Sequence, residues 1–121
     1  ASLYQVFSNL IINSLVHGFA AGDPERARPG GTITIDVHRG SESPEEIVFD
    51  YADDGLGMTE EQVRRIYDPF YTTPADRGGT GIGMSVVYTA VTRGLGGPIT
   101  VESCPGEGAR FVIRIPMEYE P

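Results

Sequence analysis

Four short segments, one with paired asparagines and three rich in glycine, aspartate or proline, recur along this 121-residue chain in a set order, and they constrain its fold more than any other feature. Four segments carry the pattern: NLIINS at 9–14, DDGLGM at 53–58, DPFYTT at 68–73 and GGTGIGM at 78–84. Glycine lets a backbone approach a ligand closely, so segments of this kind favour a pocket built from several loops.

The basic residues narrow the kind of pocket. The nine Lys and Arg positions are all arginine, which leaves the chain without lysine. A P-loop and a serine/threonine-kinase fold both grip phosphate with a lysine, so both are excluded. The formal net charge of -8, with the arginines scattered, also argues against a nucleic-acid surface. The sequence therefore indicates a nucleotide pocket that works without lysine.

Length and composition fit one domain over residues 1–121, and the abrupt start at Ala1 suggests a domain excised from a larger protein. The single cysteine, Cys104, excludes an internal disulfide, and we expect it to be a small, half-buried side chain. No apolar run approaches the roughly 20 residues of a membrane-spanning helix. We therefore expect a cytoplasmic domain without membrane contact, even if its parent protein is anchored.

Hydrophobic spacing predicts three helices and four strands in the order αββα, lid, αββ. The expected helices are at 3–19, 59–66, with Thr59 as a cap, and 82–93. The expected strands are at 32–37, 47–52, 99–103 and 109–115, with His38 exposed beside the first. The stretch 67–81 has no period and is interpreted as a flexible lid over a ligand. The pattern predicts a two-layer α/β sandwich, with a mixed, mostly antiparallel sheet covered on one face by about three helices.

Three polar residues recur at four-residue spacing in the first predicted helix. Asn9, Asn13 and His17 therefore project from one face. A carboxamide oxygen is a hard ligand that suits Mg²⁺, which takes one or two protein oxygens beside phosphate oxygens. Asn13 is the candidate ligand. A solvated helix face would show the same spacing, and the helix alone does not decide between these interpretations.

Asp53 and Asp54 end a predicted strand and are followed by Gly55 and Gly57. A carboxylate at this point can accept a hydrogen bond from the exocyclic amine of adenine. Guanine presents a carbonyl at the same edge, so an acceptor-only side chain would reject it. The competing interpretation is an ordinary Asp-Gly turn between a strand and a helix.

The segment 78–84 places glycines immediately before a predicted helix. Backbone N–H groups in such a loop can point at an anion whose charge the helix dipole favours. Arg77 could add a charge-assisted hydrogen bond to phosphate, although a lone loop arginine is more often solvated.

Together the four segments resemble the ATP-binding domain of the histidine kinase, gyrase and mismatch-repair ATPase superfamily, and most closely the catalytic domain of sensor histidine kinases. NLIINS is similar to the asparagine box of that family, DDGLGM to its first glycine box, DPFYTT to its phenylalanine box and GGTGIGM to its second glycine box. The tail GGPITVESCPGEGARFVIRIP resembles the closing strand pair. The resemblance covers nearly the whole chain and implies the family's Bergerat fold.

The resemblance implies that ATP and Mg²⁺ bind here and that the lid moves with nucleotide occupancy. Asn13 would bind Mg²⁺, Asp53 would read adenine and His17 would stack on it. Asn9, Asn13 and Arg77 would serve catalysis. The other residues implied to contact the nucleotide are Gly55, Gly57, Met58, Phe70, Thr72, Thr73, Gly79, Thr80, Gly81, Ile82, Gly83 and Met84.

One position separates the branches of this superfamily. Relatives that hydrolyse ATP carry a glutamate as general base four residues before the magnesium asparagine, and Asn9 stands there instead. A carboxamide cannot take a proton from water near neutral pH, so efficient hydrolysis is not expected. Asn9 fits the kinase branch, in which a neutral histidine imidazole is the nucleophile. The resemblance then implies γ-phosphoryl transfer to a histidine on a separate dimerisation domain, with a response regulator downstream. Neither His17 nor His38 is expected to be that acceptor.

Three departures from the family pattern concern phosphate contacts. Val16 stands where many members have a basic residue, Pro74 where lysine is frequent, and Ala109 where threonine or serine follows the GEG turn. Two alternatives to a kinase domain remain. One is a nucleotide sensor without catalysis, and the other is an ATP-driven clamp resembling gyrase, which Asn9 disfavours.

Overall fold

The computed structural model describes residues 3–20, 24–25, 27, 30–40, 45–69, 71 and 83–116. Within these residues, helices and strands follow the predicted order. The helices are α1 (Leu3–Asn13), α2 (Glu60–Arg65) and α3 (Gly83–Thr89). The strands are β1 (Ile33–Arg39), β2 (Glu46–Asp53), β3 (Ile99–Ser103) and β4 (Ala109–Pro116).

The four strands form one sheet in the order β1-β2-β4-β3. Each neighbouring pair among the described strands is antiparallel, and Tyr51 of β2 lies opposite Ile35 of β1 and Phe111 of β4. Directly opposed residues share one face of a sheet, so these side chains point to the same side. The predicted two-layer sandwich is confirmed, with helices over this face.

The core lies between the sheet and helices α1 and α3. Val6 and Leu10 are four residues apart on α1, and both are fully buried because this spacing keeps them on one side of the helix. They join the buried side chains of Met84, Val87, Val91, Tyr51, Phe111 and Ile113. Burying each such aliphatic side chain contributes roughly 1.5–3 kcal/mol, so this cluster holds α1 against the sheet.

Helix α2 begins with the cap predicted at Thr59. The Thr59 hydroxyl accepts a hydrogen bond from the Gln62 backbone at 3.1 Å, and the Gln62 side chain accepts one from the Thr59 backbone at 2.8 Å. This reciprocal pair satisfies two backbone donors that the helix itself cannot. It also fixes the point at which the chain leaves the glycine-containing turn after β2.

Two expectations about local structure need correction. The first and third helices are not α-helical to their ends, because each closes with a wider π-helical turn, at Ser14–Gly18 and Ala90–Gly94. Cys104 is exposed rather than half-buried, because it lies in the turn between β3 and β4. Its thiol donates to Glu107 at 2.6 Å, and this hydrogen bond to the carboxylate raises the pKa of the thiol.

His38 is exposed, as predicted, with its ring 2.8 Å from the Asp36 carboxylate. None of the helices that the structure describes is long and apolar enough to cross a membrane. Most of the predicted lid lies outside the described residues, since only 67–69 and 71 of that stretch belong to them.

Candidate functional site

The site is organised around Asp53, a carboxylate at the end of β2 that is only 7% exposed. Its Oδ1 accepts hydrogen bonds from the backbone N–H groups of Gly55, at 3.0 Å, and Ala109, at 3.2 Å. Its Oδ2 accepts one from the Ser14 hydroxyl at 2.7 Å. A buried carboxylate needs such donors, and these come from the π-helical turn after α1, the turn after β2 and the start of β4. The side chain is thereby held in one orientation.

A second buried hydroxyl lies behind Ser14. The Tyr51 hydroxyl is 2.7 Å from the Ser14 Oγ and 3.1 Å from the Leu10 carbonyl oxygen, and all three residues are fully buried. Ser14 gives its single proton to Asp53, so the single Tyr51 proton is shared between the Ser14 Oγ and the Leu10 carbonyl oxygen. Burial raises the pKa of Tyr51, with the nearby Asp53 charge adding to the effect, so the phenol keeps its proton at neutral pH.

The π-helical turn at the end of α1 brings both its first and last residues to Asp53. The Phe19 N–H donates to the Ser14 carbonyl at 2.7 Å, which closes the wider turn. The Gly18 carbonyl accepts from the Leu56 N–H, also at 2.7 Å. Wide turns of this kind occur often at functional sites, because the extra residue re-aims the side chains around it. Here the turn ties α1 directly to the segment that follows β2.

Gly18 leaves space beside the Asp53 carboxylate. A Cβ at this position would lie 3.0 Å from the Asp53 Oδ2, tighter than almost all real contacts of a Cβ atom. The Cβ would also lie 3.3 Å from the Cγ and 3.4 Å from the Oδ1, so the missing side chain lets Gly18 lie against one face of the carboxylate.

Gly55 and Gly57, both predicted site residues, hold the turn after β2 against its neighbours. A Cβ on Gly55 would lie 2.3 Å from the Gly18 carbonyl oxygen. A Cβ on Gly57, which has a φ of +75°, would lie 2.1 Å from the Cys104 carbonyl oxygen. Only glycine fits both positions, because backbone occupies the space that a side chain would need.

Met58 and Met84 have different surroundings. The Met58 N–H donates to the Ser103 hydroxyl at 2.9 Å, and the Met58 side chain is partly buried against the hydrophobic core. Met84 lies within that core and is 7% exposed. The structure therefore gives both methionines a packing role, and their predicted contact with nucleotide stays a prediction.

The polar residues of the first helix lie around its C-terminal half. The Asn9 amide donates to the Gln5 carbonyl at 3.0 Å, and its Oδ1 lies 3.5 Å from where a Cβ on Gly83 would be. Asn9 is thus beside the first residue of α3. Asn13 is partly exposed at the last α-helical position, and its carboxamide makes no hydrogen bond to the residues that the structure describes. His17 is partly exposed within the π-helical turn.

The remaining predicted site residues lie outside the described part of the chain, and their roles stay predictions. They are Phe70, Thr72, Thr73, Arg77, Gly79, Thr80, Gly81 and Ile82.

Sequence reasoning missed Ser14, Gly18 and Tyr51. One signal was present, because Tyr51 lies two residues before Asp53 and so shares its face of β2. Ala109 was treated as a lost side-chain contact, but its contribution here is a backbone N–H. That hydrogen bond does not depend on which side chain the position carries.

Replacing Gly18 by alanine is expected to weaken ATP binding about tenfold, because the new methyl group would crowd one face of the Asp53 carboxylate and shift it. The nearest atoms belong to the Asp53 carboxylate, which three hydrogen bonds hold in place, so the free energy of unfolding should fall as well, by about 1 kcal/mol. Calorimetric titration and urea unfolding measure the two quantities. An unchanged ATP affinity would show that ligand does not approach Asp53 from this side.

The fold and the site define a nucleotide-binding domain. A family model described as histidine kinase-, DNA gyrase B- and HSP90-like ATPase matches residues 1–119. The chain therefore belongs to this family of ATP-binding domains.

Proteins similar in sequence to this chain include sensor histidine kinases. The chain is 37% identical over 115 residues to the sensor histidine kinase ZraS of Klebsiella oxytoca. The aligned region covers 95% of this chain and 22% of that relative. It is 33% identical over 115 residues to sporulation kinase E of Bacillus subtilis. The aligned region covers 95% of this chain and 14% of that relative. The chain thus spans about a fifth or less of the length of these relatives.

Solved structures agree with the fold. The catalytic domain of the histidine kinase ThkA, in a nucleotide-free form, superposes with a TM-score of 0.70 at 26% identity, covering 93% of this chain and 65% of that one. The mycobacterial sensor histidine kinase MprB superposes with a TM-score of 0.70 at 19% identity, covering 93% of this chain and 70% of that one. The second match supports the fold alone.

Proposed function

We propose that this chain is the catalytic domain of a sensor histidine kinase, which binds Mg-ATP and transfers the γ-phosphoryl group to a histidine on a separate domain. The observation that carries the proposal is the arrangement of Asp53. Its carboxylate is fixed at the end of β2 by three donors, and among the described residues these leave one acceptor position of the Oδ2 unfilled.

Counting hydrogen-bond positions supports adenine as the base. The two oxygens of a carboxylate offer about four acceptor positions. Two backbone N–H groups occupy those of the Asp53 Oδ1, and the Ser14 hydroxyl occupies one on the Oδ2. The position that is left accepts hydrogen bonds only. The exocyclic amine of adenine satisfies it, whereas the carbonyl of guanine would face it as a second acceptor.

The donor chemistry of the helix fits Mg²⁺ bound through a nucleotide. Among the described residues, no group of three or more His, Cys, Asp or Glu side chains could hold a metal by itself. Mg²⁺ needs only one or two protein oxygens when phosphate supplies others, and the Asn13 carboxamide can provide one. When bound, Mg²⁺ neutralises charge on the phosphates during phosphoryl transfer.

Asn9 supports transfer to a histidine over transfer to water. Its amide is engaged with the Gln5 carbonyl, and its oxygen is directed toward the start of α3. A carboxamide in this place can orient a neighbouring group, but it cannot act as a general base near neutral pH. A neutral imidazole needs no such base, because it is already nucleophilic.

The proposed partners are a dimerisation domain that carries the acceptor histidine and a downstream response regulator. The names of the relatives support this assignment, and so does the fraction of their length that the chain spans. We therefore propose both the dimerisation domain and the response regulator as partners.

The test is phosphoryl transfer from γ-labelled ATP to the histidine-bearing domain of the parent protein. We expect a label on histidine that acid removes and alkali does not. Asn13→Asp should lower the rate at least about 100-fold, because the side chain keeps its shape but adds a negative charge where the phosphate groups bind. Ser8→Ala is a matched control, since the Ser8 hydroxyl donates to the Tyr4 carbonyl of its own helix at 2.7 Å.

The competing functions give different results in the same assay. Steady release of phosphate without labelled histidine would identify an ATP-driven clamp. Binding of ATP with neither product would identify a nucleotide sensor.

A further inference from the structure

We propose that Ser14 and Tyr51 are positioning residues for base recognition, in which two buried hydroxyls fix the Asp53 carboxylate so that its single open acceptor position meets the amine of adenine. Neither hydroxyl touches the ligand. The proposal rests on the proposed function, because it concerns how Asp53 recognises its base.

The hydroxyls form a continuous hydrogen-bonded chain from helix to sheet. The Tyr51 hydroxyl lies 3.1 Å from the Leu10 carbonyl and 2.7 Å from the Ser14 Oγ, which in turn lies 2.7 Å from the Asp53 Oδ2. Ser14 and Tyr51 are both 0% exposed, so bulk water does not compete for their hydrogen bonds. This series of hydrogen bonds connects the end of the first helix to β2. Ser14 is 37 positions from Tyr51 and 39 positions from Asp53 in the sequence.

The direction of the protons follows from the two ends of the chain. Asp53 can only accept when ionised, so the Ser14 proton points toward the Oδ2. The Tyr51 proton is then shared between the Ser14 Oγ and the Leu10 carbonyl oxygen. Since burial raises the pKa of Tyr51, the phenol remains a donor at neutral pH and keeps this direction. The Ser14 hydroxyl therefore has one acceptor available for its proton.

The Ser14 bond restrains a rotation that the backbone donors leave free. The N–H groups of Gly55 and Ala109 both bind the Oδ1, so they hold one oxygen but permit the carboxylate to turn about it. The Ser14 bond holds the other oxygen and leaves one acceptor position on it. Gly18 lies against the face of the same carboxylate without a side chain that would displace it.

A purely structural role is the alternative. Buried hydroxyls normally find partners, and this pair could serve only to hold α1 against β2. The two roles differ in one respect. A structural role would affect all nucleotides equally, whereas a positioning role affects only ligands that carry the amine.

The experiment titrates the full 121-residue chain and its variants with ATP and with purine riboside triphosphate, which lacks the exocyclic amine. The wild-type chain should bind ATP more tightly. Ser14→Ala should weaken ATP binding about tenfold and leave binding of the amine-free analogue unchanged. Tyr51→Phe should weaken ATP binding about threefold, because Ser14 then loses only the group that directs its proton. Ser8→Ala should change neither affinity.

Rescue by a conservative change adds a second measurement. Ser14→Thr keeps a hydroxyl at the same place, so it should recover the preference for ATP that Ser14→Ala loses. If Ser14→Ala does not fold, Tyr51→Phe carries the test, since phenylalanine keeps the buried ring.

Three results would overturn the proposal. Equal weakening of both ligands by Ser14→Ala and Tyr51→Phe would assign the hydroxyls to structure alone. An unchanged preference for ATP in both variants would separate them from base recognition. If Asp53→Asn removes the preference while these variants keep it, this inference alone fails. If the wild-type chain does not distinguish the two ligands, then both this inference and the proposed recognition of adenine by Asp53 fail.

Discussion

Asp53→Asn is expected to reduce ATP affinity at least about 100-fold while the fold is retained. The new side chain can keep its oxygen on the N–H groups of Gly55 and Ala109, where the Asp53 Oδ1 now lies. Its amide would then replace the Oδ2, so a donor would face the donor amine of adenine. Two donors that oppose each other in a desolvated pocket cost far more than a lost hydrogen bond.

Asp54→Asn is the matched control for this change. Asp54 is the next residue and is exposed, and its carboxylate accepts a hydrogen bond from the Thr32 N–H at 2.7 Å. An asparagine oxygen can accept the same bond, so ATP affinity should stay within about twofold of wild type. Calorimetric titration measures both variants, and urea unfolding checks that both are folded. Equal affinities for the Asp53 and Asp54 variants would contradict the assignment of the base-reading carboxylate.

Gly57→Ala is expected to lower the free energy of unfolding by at least about 3 kcal/mol. The φ of +75° is itself costly for alanine, and the new Cβ would lie 2.1 Å from the Cys104 carbonyl oxygen. That oxygen belongs to the backbone and also accepts from the Glu107 N–H at 3.1 Å, so it cannot move aside cheaply. The turn after β2 would have to separate from the turn between β3 and β4.

Gly106→Ala separates the conformational cost from the steric one. Gly106 also has a positive φ, +84°, and lies at the same junction, where its N–H donates to the Leu56 carbonyl at 2.7 Å. A Cβ there would meet nothing within 4 Å. We expect a loss of about 1 kcal/mol, which the left-handed backbone conformation accounts for. Similar losses for the two variants in urea unfolding would show that the contact with Cys104 does not hold the junction together.

The elements that the sequence predicted best are those with strong local signals. β3 was expected at 99–103, and the structure has Ile99–Ser103 as a strand. The glycines before it mark its start, and the alternation of side chains gives its length. The Thr59 cap was also predicted correctly, since a capping residue and its Gln62 partner are only three positions apart.

The hydrogen bonds that hold the Asp53 carboxylate could not be predicted from the sequence in the same way. The bond between Ser14 and Tyr51 joins residues 37 positions apart, and it depends on how α1 lies across β2. The π-helical turn at Ser14–Gly18 arises where the helix meets the turn after β2, and no residue within it signals the extra width. Sequence therefore located Asp53 but did not reveal what holds its carboxylate in place.

The most direct test of the account is calorimetric titration of the 121-residue chain with ATP and GTP, each with and without Mg²⁺. We expect ATP to bind more tightly than GTP, because Asp53 offers only an acceptor, and Mg²⁺ to strengthen ATP binding through the phosphates and Asn13. Equal binding of ATP and GTP, or no binding of either, would contradict the claim that this chain is an ATP-binding kinase domain with Asp53 as its adenine reader.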